Sequence, residues 1–235
     1  MKKLIIASTS TVFGSAYLDY LLPTLSTFFV DVSTVLFIPY ARPGGISYED
    51  YTLRVKETFA KINIEVKGIH QCKDPKKAVQ EAQAIFTGGG NTFELVHQLY
   101  KQDILTDLKA VLEKGTPYLG TSAGSNICGV SMMTTNDMPV VYPPSFNTLG
   151  VLSFNINAHY LDPIKASTHM GETRETRIQE FHVYNDTAVL GLREGSWIEV
   201  IGKKITLKGT LKARLFQKGT APVELASGSE VALSF

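Results

Sequence analysis

Short, uninterrupted apolar runs recur along the chain, separated by stretches where apolar residues return every three or four positions. The runs are LIIAS (Leu4–Ser8), TVLFIP (Thr34–Pro39), IEVKGI (Ile64–Ile69), AIFT (Ala84–Thr87) and PYLGT (Pro117–Thr121). Short, mostly apolar runs of this kind fit strands buried on both faces. Helical spacing covers residues 15–29 and 48–62, a short segment opened by Pro75, NTFELVHQLYKQ (Asn91–Gln102) and LTDLKAVLEK (Leu105–Lys114). NICGVSM, from Asn126, is apolar enough to begin a further buried helix. Buried strands alternating with helices predict a three-layer α/β fold, with a mostly parallel sheet covered by helices on both faces.

After about Met133 the pattern changes. A loop-rich stretch carries NDMP and VYPPSFN, LSFNINAHY reads as another strand, and ETRETRIQEFHV is helical. AVLGLREGSW, IGKKITLKG, LKARLFQK and VALSF follow as short β-rich pieces with glycine-containing turns. They predict antiparallel hairpins added near the C-terminus at one sheet edge. There is no internal repeat, low-complexity segment or long linker, so residues 1–235 read as a single α/β domain.

Composition narrows the partners. The 235 residues carry 23 basic and 22 acidic side chains with no basic stripe, which argues against nucleic acid or an anionic membrane as partner. Lys2 and Lys3 before apolar residues imitate a signal peptide, but the apolar run ends at Ala7 and hydroxylated residues follow. No stretch approaches the roughly 20 apolar residues that span a bilayer. Cys72 and Cys128 read as isolated thiols, which favours a reducing compartment and a cytoplasmic protein. A homodimer is admitted by the sequence.

The candidate chemistry centres on GTSAGSN, residues 120 to 126. Strand, G-x-S-x-G, then helix is the context in which the serine of that motif is an activated nucleophile, although the motif alone is weak. Acyl transfer at Ser122 needs a base, a group that orients it, and N–H donors for the oxyanion. The donors can come from the Ala123 amide and from the glycine run GGGNTFE near Gly90, where Asn91 and Glu94 have capping-box spacing. Among the histidines, His70 ends a strand, His97 lies inside a helix and His182 closes one. His159, at a strand's carboxyl end where α/β folds bind ligands, is favoured over His169 in a loop. Asp137 in TTNDMP and Glu194 in GLREGSW are both candidates for the orienting carboxylate, and each could equally be a turn residue. No histidine and carboxylate cluster has metal-ligand spacing, so neither metal nor cofactor is expected.

Seven motifs in order, FIP, GGGNTF, G-x-SAG-x-N, TTNDMP, IN-x-H, GETR-x-x-RI and GL-x-EG-x-W, resemble the aspartyl dipeptidase (peptidase E) family of serine peptidases over nearly the whole chain. The resemblance implies a fold of the class I glutamine-amidotransferase type and hydrolysis of dipeptides with an N-terminal aspartate. It makes Ser122 the nucleophile and His159 the base, leaves Asp137 and Glu194 as the third member with Glu194 preferred, and gives Arg174 to the substrate's side-chain carboxylate. Asn91 and Gly90 would line the same pocket. Thr121 stands where some relatives carry a large aromatic, and Ala158 where a proline is usual, so the pocket's shape is expected to differ. Three other readings compete: a cyanophycinase-like hydrolase of β-aspartyl-arginine, a non-catalytic small-ligand sensor on the same scaffold, and an esterase, which the late chain's lack of strand-helix alternation disfavours. Cys128 as a nucleophile is disfavoured by its place beyond the serine turn.

Overall fold

The structure, a computed structural model, describes residues 1–163 and 170–233. Strands and helices alternate first: β1 (Lys3–Ala7), α1 (Leu22–Phe28), β2 (Thr34–Ile38), α2 (Tyr48–Ala60), β3 (Glu65–Gly68), α3 (Pro75–Gln80), β4 (Ala84–Thr87), α4 (Thr92–Lys101), α5 (Leu105–Lys114), β5 (Tyr118–Thr121) and α6 (Ala123–Asn126). Then come β6 (Asn155–Ala158), α7 (Arg174–Tyr184), β7 (Val189–Leu192), β8 (Ser196–Ile201), β9 (Lys204–Gly209), β10 (Ala213–Phe216) and β11 (Val223–Leu225). Among the described residues, no helix is long and apolar enough to cross a membrane.

The main sheet runs β3-β2-β4-β5-β1-β8-β9, with the first five strands parallel and the β8–β9 hairpin antiparallel at the β1 edge. Strands β1, β2, β4 and β5 bury side chains on both faces, which is why their sequences read as nearly continuous apolar runs, whereas the edge strand β3 alternates exposed and buried residues. Ile5, Val35, Phe37 and Phe86 meet α1 and α2 on one face, while Leu4, Ile6, Leu36 and Ile85 meet α3, α4 and α5 on the other. Connections stepping toward β3 use the first face and those stepping back use the second, as right-handed crossovers require. β5 and β1 are neighbours whose outgoing connections leave on opposite faces, so a crevice opens at their carboxyl ends.

Local signals set most element ends. The Ser47 side chain caps α2, that of Asp74 caps α3 ahead of Pro75, and Gly115 at φ +115° closes α5. Four expectations differ from the structure. Helix α1 starts at Leu22 instead of residue 15, because Pro23 suits a first turn and would break a helix interior. Residues 9–21 instead cross the sheet's carboxyl edge as turns, with Leu18 at φ +58°. The helix after the serine turn is a single turn, since Gly129 packs so closely on Asn155 that a Cβ there would lie 2.9 Å from its side-chain oxygen.

Finally, only β8–β9 joins the main sheet. β11-β10-β7-β6 form a second, four-stranded sheet. Its Ile156, Leu190, Leu192 and Leu215 join the core shared with α4 and α5, and its outer face, Val189 and Phe216, packs with Tyr160 under Ile178 of α7. Strand β11 was not legible as a strand. VALSF, read as β-rich, forms no strand over its described residues, although Val231 donates its amide to Ile205.

Candidate active site

Ser122 leaves β5 on a strained turn, at φ +53° and ψ −112°, a region that non-glycine residues rarely occupy. Its amide donates to Ala7 O at 3.1 Å, and Ser125 Oγ donates to the same carbonyl at 2.6 Å, tying the turn to β1. Both glycines of the motif have a packing reason. A Cβ on Gly124 would lie 2.1 Å from Thr87 O, and one on Gly120 would lie 2.5 Å from Gly124 O. The turn is thus pressed against β4, and Ser122 is the residue left projecting into the crevice.

His159 follows β6 and also has positive φ, +55°. Its amide donates to Ser8 Oγ at 2.9 Å, and that hydroxyl donates to Leu192 O at 2.8 Å. Ser8, fully buried at the end of β1, therefore braces the second sheet against the first. The imidazole bridges two partners: Nε2 lies 2.9 Å from Ser122 Oγ and Nδ1 lies 2.7 Å from Glu194 Oε1. A carboxylate at Nδ1 keeps the proton there, which leaves Nε2 free to accept the hydroxyl proton. Both side chains are partly open, 38% exposed for His159 and 45% for Glu194, so the group faces the crevice and not the core.

Asp137 lies elsewhere. Its Oδ2 accepts from the Thr92 amide at 2.7 Å, from Thr92 Oγ1 at 2.5 Å and from Thr135 Oγ1 at 2.9 Å. An anion receiving the first amide of α4 suits that helix's positive end. Asn91 caps the same helix by accepting from Glu94 N at 3.1 Å, and its Nδ2 donates to Met138 O at 2.8 Å. Its side chain thus holds the 137–138 loop. Asn126 extends the network: Nδ2 donates to Thr92 Oγ1 and Thr135 Oγ1, and Oδ1 accepts from Ala158 N at 3.3 Å. Sequence reasoning singled out neither Ser8, Thr92 nor Asn126 as a site residue. The asparagine's presence in G-x-SAG-x-N was the one signal that could have found it.

Of the glycine run, Gly89 donates its amide to the Tyr51 hydroxyl at 3.0 Å, and a Cβ on it would lie 3.0 Å from Ser122 Cβ. Gly90, at φ +143°, lies so close to Ala41 O that a Cβ there would sit 2.1 Å from it. Among the described residues, no acceptor faces the Gly90 or Ala123 amide. Arg174 opens α7, half-buried; burial and neighbouring Arg177 make its charge harder to hold, and Asp137 opposes them.

The other sequence candidates make no contact with Ser122 among the described residues. His70 lies 3.0 Å from Glu49, His97 sits in α4, and His182 donates to Thr187 O at 3.0 Å. His169 lies outside the described residues. Burial pushes the Cys128 thiol up to about 12, and it donates to Gly124 O, which suits a packed thiol and not a nucleophile.

Comparison with known proteins places the chain in a family. The model of peptidase family S51 matches residues 4–208. A protein named "Peptidase E" from Streptomyces coelicolor is 47% identical over 228 residues, covering 97% of this chain and 93% of its own. One named "Probable alpha-aspartyl dipeptidase" from Drosophila melanogaster is 44% identical, covering 96% and 94%. Among solved structures, a peptidase from an acI-B1 actinobacterium superposes with a TM-score of 0.74 over 100% of this chain and 97% of its own, at 16% identity, a likeness of fold. With the family model matched over most of its length, this chain belongs to peptidase family S51.

Proposed function

We propose that this chain is a serine exopeptidase that hydrolyses Asp-Xaa dipeptides through an acyl-enzyme at Ser122. The observation that carries the reading is the continuous contact Glu194–His159–Ser122, at 2.7 and 2.9 Å, on a turn strained enough to hold the hydroxyl clear of the sheet. Ser122 Oγ attacks the carbonyl of the aspartyl residue as His159 Nε2 takes its proton. The Gly90 and Ala123 amides receive the oxyanion. His159 returns the proton to the leaving amino acid, and water, deprotonated by the same imidazole, releases aspartate. Arg174 binds the aspartyl carboxylate, which favours a planar, bidentate donor. Asp137 holds the floor of the pocket through α4 and the Thr92–Asn126 network. The names of the two relatives support this substrate class over a β-aspartyl-arginine polymer or a ligand sensor. The two free thiols, Cys72 and Cys128, support a cytoplasmic setting.

The test is a dipeptide panel that varies the first residue, run on the wild type and on Ser122→Ala. Only peptides beginning with aspartate should be cleaved well, and S122A should lose on the order of 10⁵-fold or more in kcat with an unchanged Tm. Appreciable turnover by that variant, or equal cleavage of Asn-Leu and Asp-Leu, would overturn the reading.

A further inference from the structure

A substrate such as Asp-Leu presents two carboxylates, the first side chain and the free carboxyl terminus, and each calls for a held cation. The six arginines sort on this criterion. Arg193 pairs with Asp162 and Glu224, and Arg214 with Glu175 and Glu224. Arg54 and Arg177 are exposed. Arg42 and Arg174 are half-buried with no carboxylate within ion-pair distance among the described residues.

Arg42 stands next to the reacting turn. It follows Ala41, whose carbonyl accepts the Asn91 amide at 2.8 Å and lies against Gly90. Its guanidinium carbon lies 4.8 Å from the centroid of the Tyr51 ring, and the Tyr51 hydroxyl accepts from Gly89, the residue packed on Ser122 Cβ. Its Nε is buried with no acceptor, an unsatisfied donor of a kind that native structures rarely leave without a reason. Tyr51 belongs to the face covered by α2, whereas Asp137, whose charge acts on Arg174, caps α4 on the opposite face. Arg42 thus lies on the α2 side of the sheet, and Arg174 feels the charge that caps α4 on the other side.

We propose that Arg42 binds the free α-carboxylate of the leaving residue, so that the enzyme reads the length of its substrate as well as its first side chain. The proposal rests on the dipeptidase reading above. With Arg174 committed to the aspartyl side chain and the amides to the oxyanion, the terminal carboxylate is the remaining anion, and Arg42 is, among the described residues, the remaining half-buried arginine without an ion-pair partner.

The test compares Asp-Leu with Asp-Leu amide, which lacks that charge, on the whole protein as wild type, Arg42→Met and Arg42→Lys. Wild type should prefer the free acid by about 10–100-fold in kcat/KM. In R42M this ratio should collapse toward one, chiefly through KM for Asp-Leu, and in R42K it should fall between. Equal cleavage of acid and amide by wild type, or an R42M that loses activity on both in the same proportion, would overturn the proposal; the second result would mean that Arg42 only packs on Tyr51. If R42M does not fold, the wild-type ratio and R42K still decide. A wild type that cleaves no Asp-Xaa peptide at all instead removes the dipeptidase reading, and this proposal with it.

Discussion

Two carboxylates that the residues alone leave open, with Glu194 preferred only on the family resemblance, have different partners in space. Glu194 meets the His159 ring, whereas Asp137 meets the first turn of α4. Glu194→Gln should therefore lower kcat by on the order of 10²–10⁴-fold, because an amide cannot stabilise the imidazolium or hold its tautomer. Asp137→Asn should cost about 1–2 kcal/mol of stability by weakening the charged cap on Thr92. It should also raise KM while leaving the pH dependence of kcat in place. Kinetics across pH together with denaturant melts separate the two, and the reverse pattern would make Asp137 the group that orients His159. Ser122, His159, Asp137 and Glu194 were all legible in the sequence. Which carboxylate reaches the imidazole was not, because it depends on how β6 and β7 lie side by side, pairing Ala158 with Leu192.

At the scale of elements, the serine turn shows why glycine flanks the motif on both sides. The peptide planes of β4, β5 and α6 approach too closely for a side chain, as the 2.1 Å gap from a Gly124 Cβ to Thr87 O makes plain. Gly124→Ala should destabilise the fold by about 1–3 kcal/mol by overpacking and should also lower activity, since relief comes only by moving the turn. Urea melts paired with kcat on Asp-Leu would check both, and an active, fully stable G124A would contradict the packing argument. Strand and helix order through β5 was readable because buried parallel strands leave continuous apolar runs. The start of α1 was misjudged where periodicity outweighed a proline, and the one-turn α6 was misjudged because Ile127, Cys128 and Met132 fill a core without being helical.

In the molecule as a whole, the second sheet is what delivers His159 and Glu194 to a serine on the first. Arg193, beside Glu194, helps to hold that sheet to its surroundings. It donates two hydrogen bonds to Asp162 and two to Glu224, and one to Lys212 O, and lies 5.5 Å from the Tyr160 ring centroid. These bonds hold the Asp162 and Glu224 carboxyls below their ordinary range. A carboxyl depressed in the folded state contributes stability that is present above its unfolded value and lost as pH falls through its folded value. Arg193→Met should accordingly lower Tm by about 2–4 °C near neutral pH, equivalent to roughly 1 kcal/mol for partly exposed pairs. The gap to wild type should close as pH falls below about 4. A gap that stays constant with pH would trace the loss to Tyr160 packing and not to the ion pairs.

The order of buried strands, the helix caps, the glycine-flanked serine and the small set of candidate acids and bases are written in local chemistry: apolar periodicity, capping side chains, and residues that tolerate unusual backbone angles. Those properties act over a few residues and survive without knowledge of the fold. Tertiary structure separated the late strands into a second sheet, turned Ser8 into a brace between the sheets, set Glu194 and not Asp137 beside His159, and left Arg42 and Arg174 with no carboxylate within ion-pair distance among the described residues. Each of these depends on distances between segments far apart in the chain. Such distances follow from how whole faces of side chains pack, which no short stretch encodes by itself.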